Sequence, residues 1–566
     1  MIGVDYSIYL EKVLENTQNG LLLHDIIALL IDDENSKEEV VEFVDELIDS
    51  QILINELEPS VSGPEFLEHI IAVLSKIKNT EAQLEILKFV SNKLSIIDCI
   101  IGNNPKDYID ISVELEKLNT GFDIKYLFQT DIILKPKSNT VDIAVVNSVK
   151  KALSLFNKIT IPQKDTLLSS FKEAFYDRFE EREVSLATAL DVEVGIGYKQ
   201  NQRSLDINPL IDDITVSHIE PANSSKEIKW SRFNSIFNSK LIESFSNNEY
   251  SIVLSDADIL GFEENWDDLP DTMSAMIEVL IVKGERKILI KSAGGSSGAN
   301  MLGRFCHGDH QLNSHTLNIT KFEKESNKNK IVAEIVHLPE SRVGNVLMRP
   351  IFREYEIPYL AKSVLENNKQ IKIDDLYISF RNQNLYLRSK RLNKEVIPRL
   401  TTAHNYVSNS LPIYHFLSEM QSQNIRTGIG IQLGPFVEEY SFIPRVEYND
   451  LILSEALWNI KKLDVEPFYE IINHDTELLN GIRKFRADRR LPQYIMLVDN
   501  DNELLVNLEN VNSIQMLLSC VKNKSRFKIK EFLYPEDGIV KSADSKEYYT
   551  NQIILSFYNS KKGSNE

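Results

Sequence analysis

Three arginines, Arg342, Arg349 and Arg353, fall within twelve residues of each other in HLPESRVGNVLMRPIFREYEIPYL, and Glu354 and Glu356 follow directly. A guanidinium presents a planar fork of donors that matches phosphate or carboxylate bidentately, so the cluster suits an anionic ligand. It equally suits a solvated loop whose arginines pair with neighbouring carboxylates. Arg304, in Gly303-Arg304-Phe305, comes shortly after Gly294-Gly295-Ser296-Ser297-Gly298, small residues that let backbone amides approach a phosphate. That run lacks the Lys-Ser/Thr ending of a Walker loop, so an ATP site is not supported, and no Rossmann fingerprint is present. Cys306, His307, Asp309, His310 and His315 invite a metal reading. Their spacing lacks the separated ligand pairs of a closed tetrahedral site, so no metal is expected. His404 beside Asn405 suits a proton shuttle, or else a satisfied structural histidine.

The elements that must position these residues are a mixture. At 566 residues the chain exceeds one compact core, and two to four subdomains are expected. Helical periodicity marks 64–78, 82–95, 143–158 and 165–181, and a helix opens near Asn409-Ser410-Leu411-Pro412. Strand patterns mark 277–284, 287–293 and 330–338, with YIMLVD, ELLVNL and IILSFY towards the end. Long helices interleaved with short meanders predict an α+β, multi-subdomain architecture and not a doubly wound sheet.

The first sixty residues read as a separate module spanning 1–62, ahead of a body at 63–566. GLLLHDIIALLI is apolar enough for a buried helix, and Ser36 with Glu39 forms a capping box. The helix after it presents Val40, Val41, Val44, Leu47 and Ile48 on one face. Ile52 to Leu57 looks like a strand, so helix, turn, helix and strand give the shape of a winged helix. The second helix, SKEEVVEFVDELIDS, carries six carboxylates and one lysine, which disfavours docking on DNA phosphates. A wing edge would instead accept a peptide as an added strand.

Composition narrows the partners. The net charge of −21 opposes nucleic-acid binding on average, so an RNA site must be a local basic surface. Candidates are Arg388, Lys390 and Arg391 with Lys394 and Arg399; Arg483 to Arg490; and KNKSRFKIK at 522–530, each of which also suits a solvated face. No apolar run reaches eighteen residues, and the first residues lack a secretory h-region. Three well-separated cysteines, Cys99, Cys306 and Cys520, argue against a disulfide framework, and a cytoplasmic location is expected.

The central segment and RLTTAHNYVSNSLPIYHFLSEMQ resemble signatures of the lantibiotic dehydratase family. So do Glu183-Val184-Ser185-Leu186, Leu190-Asp191, Gly195 to Tyr198, Leu302 to Phe305, Ile443 to Val446, Leu451 to Trp458 and Leu491 to Tyr494, in the family's order. The resemblance implies transfer of glutamate from glutamyl-tRNA, a co-substrate that makes other cofactors unnecessary, to serine and threonine side chains of a precursor peptide held by its leader. It further implies a separate eliminating protein, a cyclase and a homodimer as partners. On this resemblance Arg304, Arg342, Arg349 and Arg353 are anion binders, with Glu354 and Glu356 orienting them. Asp131, Asp191 and Glu193 are candidates for holding the glutamyl amine or activating the hydroxyl, and His404 and Asn405 complete the set. The family's Thr-Pro-Phe-Gly-Leu-Phe motif, associated with tRNA engagement, does not occur in this sequence. A longer gene, a companion chain or lost catalysis would each account for that. Two other readings stay open: a peptide aminoacyl-tRNA ligase, and a non-catalytic leader-binding scaffold.

Overall fold

The computed structural model describes residues 6–563, apart from 19, 33–34, 51, 101, 134–135, 164–165, 199–229, 340–343, 408–409, 500–501, 535–537, 545 and 547. Two mixed six-stranded sheets and one antiparallel five-stranded sheet, with helices packed around them, form the body, in the α+β arrangement that the patterning predicts. One sheet runs Ile553–Tyr558, Thr272–Val282, Glu285–Gly294, Leu451–Ser454, Arg445–Tyr448 and Ser251–Leu254. Helices Ile143–Ile159 and Arg232–Ser246 bury Val149, Phe156, Phe233 and Phe237 in the core of that sheet. A five-stranded sheet, centred on Arg526–Glu531, packs against helices Asp475–Arg489 and Val511–Val521.

The sheet that matters most for the site runs Val184–Ser185, Leu376–Arg381, Asn384–Ser389, Lys394–Arg399, Ile331–Val336 and Tyr355–Pro358. Its strand Ile331–Val336 is parallel to both neighbours and buried at every position. A parallel strand covered on both faces reads as a continuous apolar run, and IVAEIV does so with one exception, Glu334. Among the described residues no helix is long and apolar enough to cross a membrane.

The N-terminal module is helical. Helices Ile8–Asn16, Leu23–Leu30 and Lys37–Asp49 pack through Leu10, Val13, Ile26, Leu30, Val40, Val44 and Leu47. The capping box at Ser36 and Glu39 is formed, with the Glu39 carboxylate accepting from the Ser36 N–H at 2.9 Å. The strand expected at 52–57 does not form. The N–H groups of Ile52 and Leu53 fold back onto the Leu47 carbonyl, and the Asn55 side chain accepts from Leu57 N–H at 2.8 Å. Such a local turn competes with strand pairing for the same backbone groups, and here it wins. The described part of the module is therefore a three-helix unit followed by turns, with no wing strand. The chain then enters the body at 61–63, where Val61 accepts from Arg349 N–H at 3.1 Å and Gly63 donates to the Arg349 carbonyl at 3.0 Å.

Candidate functional site

Glu334 is the organising residue, and its place inside an apolar strand is the signal that sequence reading passed over. A carboxylate in such a strand must be paired and hydrogen-bonded to remain charged. Four donors reach it: Arg349 Nε at 3.0 Å, Arg353 Nε at 3.0 Å, and the Thr401 N–H and hydroxyl, both at 2.7 Å. Arg349, fully buried, also donates to the carbonyls of Leu347 at 2.6 Å and Ile335 at 2.7 Å. Arg353 continues to Glu323 on helix His310–Ser326, at 2.6 Å. Burial works to raise the Glu323 carboxyl, but Arg353 and Arg399, with the hydroxyls of Ser297 and Thr272, hold it below the ordinary range. At Glu356 burial outweighs the hydrogen bonds from Ser363 and Ser62 and the nearby Arg349 charge, and raises the carboxyl.

This lattice corrects several sequence expectations. Arg349 and Arg353 direct donors at internal carboxylates and carbonyls, and these bonds position the 344–353 segment. Arg399, expected on an RNA-binding surface, is buried opposite Glu334 in the parallel ladder and lies 3.7 Å from Asp271. Strand alternation turns it inward, which spacing in a basic stretch does not reveal. Among the described residues of the group, Glu354 alone is out in solvent, paired with Lys324 at 2.6 Å. Arg342 lies outside the described residues.

The glycine-rich run is likewise a packed corner and not an open phosphate cradle. Gly294 has φ 143°, and a Cβ there would sit 2.2 Å from the Thr427 carbonyl oxygen. Ser297 bonds Glu323, and the Gly298 N–H bonds Thr272. The run also spells Gly-x-Ser-x-Gly around Ser296, yet that hydroxyl is buried on Gln421 at 2.8 Å. A nucleophile elbow needs an exposed serine served by a base, which is absent from the described contacts here.

Above the lattice, the structure joins two of the expected site residues. Arg304 Nη2 donates to Asp131 Oδ1 at 3.0 Å, with the guanidinium stacked 4.7 Å over the Phe305 ring. Both side chains stay partly open, at 26% and 37% exposure. Asp131 belongs to a segment held at both ends, because Gln129 accepts from Asn345 at 2.8 Å and Ile133 packs on Gly308. Arg304 is placed by Gly303, where a Cβ would meet the Thr401 carbonyl oxygen at 2.3 Å. Thr401 is the same residue that donates twice to Glu334, so Gly303 couples the exposed pair to the buried lattice. Gly303→Ala is expected to lose about 1–3 kcal/mol by overpacking. A thermal melt of the variant checks this: its midpoint should fall.

The other described candidates bond to partners of their own. Asp191 accepts from the Glu193 and Val194 N–H groups at 2.7 and 2.9 Å, and those bonds hold its carboxyl low. It shapes a turn, and Glu193 points to solvent from that turn. His404 bonds the buried Tyr414 hydroxyl at 2.9 Å, while Asn405 accepts from the Val407 N–H at 3.1 Å. His337 packs on the other flank of Tyr414, and burial pushes its imidazole down to about 4. Arg388 forks onto Glu183 at 2.7 and 2.6 Å. Lys390 lies over the Tyr377 ring, and Arg391 donates to the carbonyls of Asn368 and Gln370. Of the histidine-rich stretch, Cys306 meets Thr316, His307 meets the Gly63 carbonyl and His315 meets Ser556.

Known proteins share this chain's sequence pattern and its architecture. The chain is 23% identical to the Bacillus subtilis subtilin biosynthesis protein SpaB over 86% of its length. It is 24% identical to the Staphylococcus epidermidis epidermin biosynthesis protein EpiB over 95%. It spans about half the length of these relatives, 47% and 52%. The tRNA-dependent lantibiotic dehydratase MibB from a Microbispora species shares the fold, with a TM-score of 0.73 and 16% identity over 93% of this chain and 51% of that one. The glutamylation domain of TbtB, from thiomuracin biosynthesis, matches with a TM-score of 0.52 and 13% identity over 97% of this chain and 66% of that one. The family model for the lantibiotic dehydratase N terminus matches residues 1–517, so the chain belongs to the lantibiotic dehydratase family, of which it carries the N-terminal region.

Proposed function

We propose that this protein transfers glutamate from glutamyl-tRNA to serine and threonine side chains of a precursor peptide. The observation that carries the reading is the family match over residues 1–517, joined to a fold shared with a glutamylation domain. The Arg304–Asp131 pair supports it chemically. Free glutamyl groups present a side-chain carboxylate and an ammonium, and an adjacent guanidinium and carboxylate complement both. An ion pair this exposed is worth little by itself, so a ligand that replaces each partner opens it cheaply.

Chemically the transfer exchanges one ester for another. The peptide hydroxyl oxygen attacks the glutamyl carbonyl, the bond to the terminal ribose oxygen of the tRNA breaks, and the hydroxyl proton ends on that ribose oxygen. The acyl group arrives activated, so ATP has no part in the step. The protein's contribution is to hold two large substrates with the reacting atoms in contact and to stabilise charge as the tetrahedral intermediate forms.

The test is mass spectrometry of a leader-bearing precursor peptide incubated with the protein and glutamyl-tRNA, without ATP. Glutamate added to serine or threonine is the expected result. Addition to the peptide C-terminus that requires ATP, or leader binding with no adduct at all, would overturn the reading.

A further inference from the structure

The acidic chain has a basic cleft far along the sequence from Arg304. Helix Asp475–Arg489 and its cap bring Arg483, Arg486 and Arg490 to a cleft of about 560 Å³, closed by Tyr250, Pro492 and Glu509. The spacing of three and then four residues puts the arginines in one stripe of the helix surface. Arg490 takes a left-handed conformation, φ 54°, that ends the helix and turns the chain into Leu491 and Pro492. It is fixed there by a bond from its guanidinium to the Asn248 carbonyl at 3.0 Å and by stacking 4.8 Å over Phe442.

Three guanidiniums face one carboxylate. Glu509 accepts from Arg483 at 2.8 Å and also from Arg486, so it braces both without matching the charge. Arg486 Nε is buried and has no protein partner among the described residues. A helix C-terminus ordinarily repels anions, but here its last carbonyls are occupied: Arg486 by Leu491 N–H, Ala487 by Arg490 N–H, and Arg489 by the Trp458 indole at 2.9 Å. Arg489, the remaining arginine of the run, turns away to Asp464 at 2.6 Å. The basic segment 522–530 is different in kind, because Lys524, Lys528 and Lys530 each pair with a separate carboxylate.

We propose that this cleft binds the phosphodiester backbone of an RNA strand, and thereby docks the body of the tRNA whose acyl group is transferred elsewhere on the protein. The proposal rests on the transfer reading for the identity of its RNA. Forked donors on a rigid helix hold phosphate bidentately, and the open side of the cleft admits a strand and not only a free ion.

Fluorescence anisotropy of the full chain with labelled glutamate-type tRNA tests it. Arg483→Ala with Arg490→Ala is expected to weaken binding about tenfold or more and to lower the slope of log affinity against log salt by about 2. Glu509→Gln removes the opposing charge and is expected to tighten binding a few-fold, a gain that misfolding would not produce. Unchanged tRNA affinity in both variants would overturn the proposal, as would an equal loss for inorganic phosphate with none for tRNA. If the parent binds tRNA through this cleft yet transfers no glutamate, the transfer reading fails and the docking site stands.

Discussion

Replacing Arg349 by alanine is expected to destabilise the protein by about 3–5 kcal/mol, since it strips a buried ion pair of one partner. Glu334 would keep Arg353 and Thr401 but lose a direct 3.0 Å bond in a strand with no access to water. The carbonyls of Leu347 and Ile335 would lose their donors as well, and each unsatisfied buried acceptor adds to the penalty. The 61–63 connection would loosen too, because it is bridged to the backbone of Arg349. A fall in thermal midpoint of about 3–4 degrees, with earlier proteolysis, is the expected measurement. The double variant Arg349→Met with Glu334→Leu tests the cause: removing both charges should recover part of the loss. If Arg349→Ala melted within about one degree of the parent, the buried-pair account would be wrong.

Arg304→Ala is expected to have the opposite profile. Its ion pair with Asp131 is partly exposed, so stability should change by less than about 1 kcal/mol. Glutamate transfer, measured as kcat/KM, is expected to fall by about 10²-fold or more, as when one charge-stabilising donor is lost from an active site. Arg304→Lys retains the charge but not the fork and should recover only part of the rate. Asp131→Asn should be nearly as severe, and the double variant little worse than either single one, because the two side chains act as a unit. Full activity in Arg304→Ala with a normal melting curve would remove the pair from the site.

These two arginines show where sequence reasoning reaches and where it stops. Both come from segments that stand out by residue type, and the resemblance assigns both to anion binding. Nothing in the spacing of Arg349 says that it is fully buried, and nothing in that of Arg304 says that it stays partly open. The difference comes from what lies across the fold. Glu334 and Glu323 meet the first segment from a strand and a helix, whereas Asp131 meets the second from a segment 173 residues earlier. Glu334 was legible in principle, as the single carboxylate in an apolar strand. Glu323 was not, since a glutamate on a helix carries no such mark.

By itself the sequence determined the element types and the family. Periodicity is local, so helices such as Ile143–Ile159 and Glu81–Ile97, the capping box at Ser36 and the strands Thr272–Val282 and Ile331–Val336 follow from neighbours a few residues apart. Local chemistry also explains why no strand forms at 52–57, where the Asn55 turn outweighs an apolar alternation. Tertiary structure alone decided which charges are sealed and which stay open to solvent. Burial sets the strength and the availability of every ion pair, and burial depends on partners that are distant in sequence.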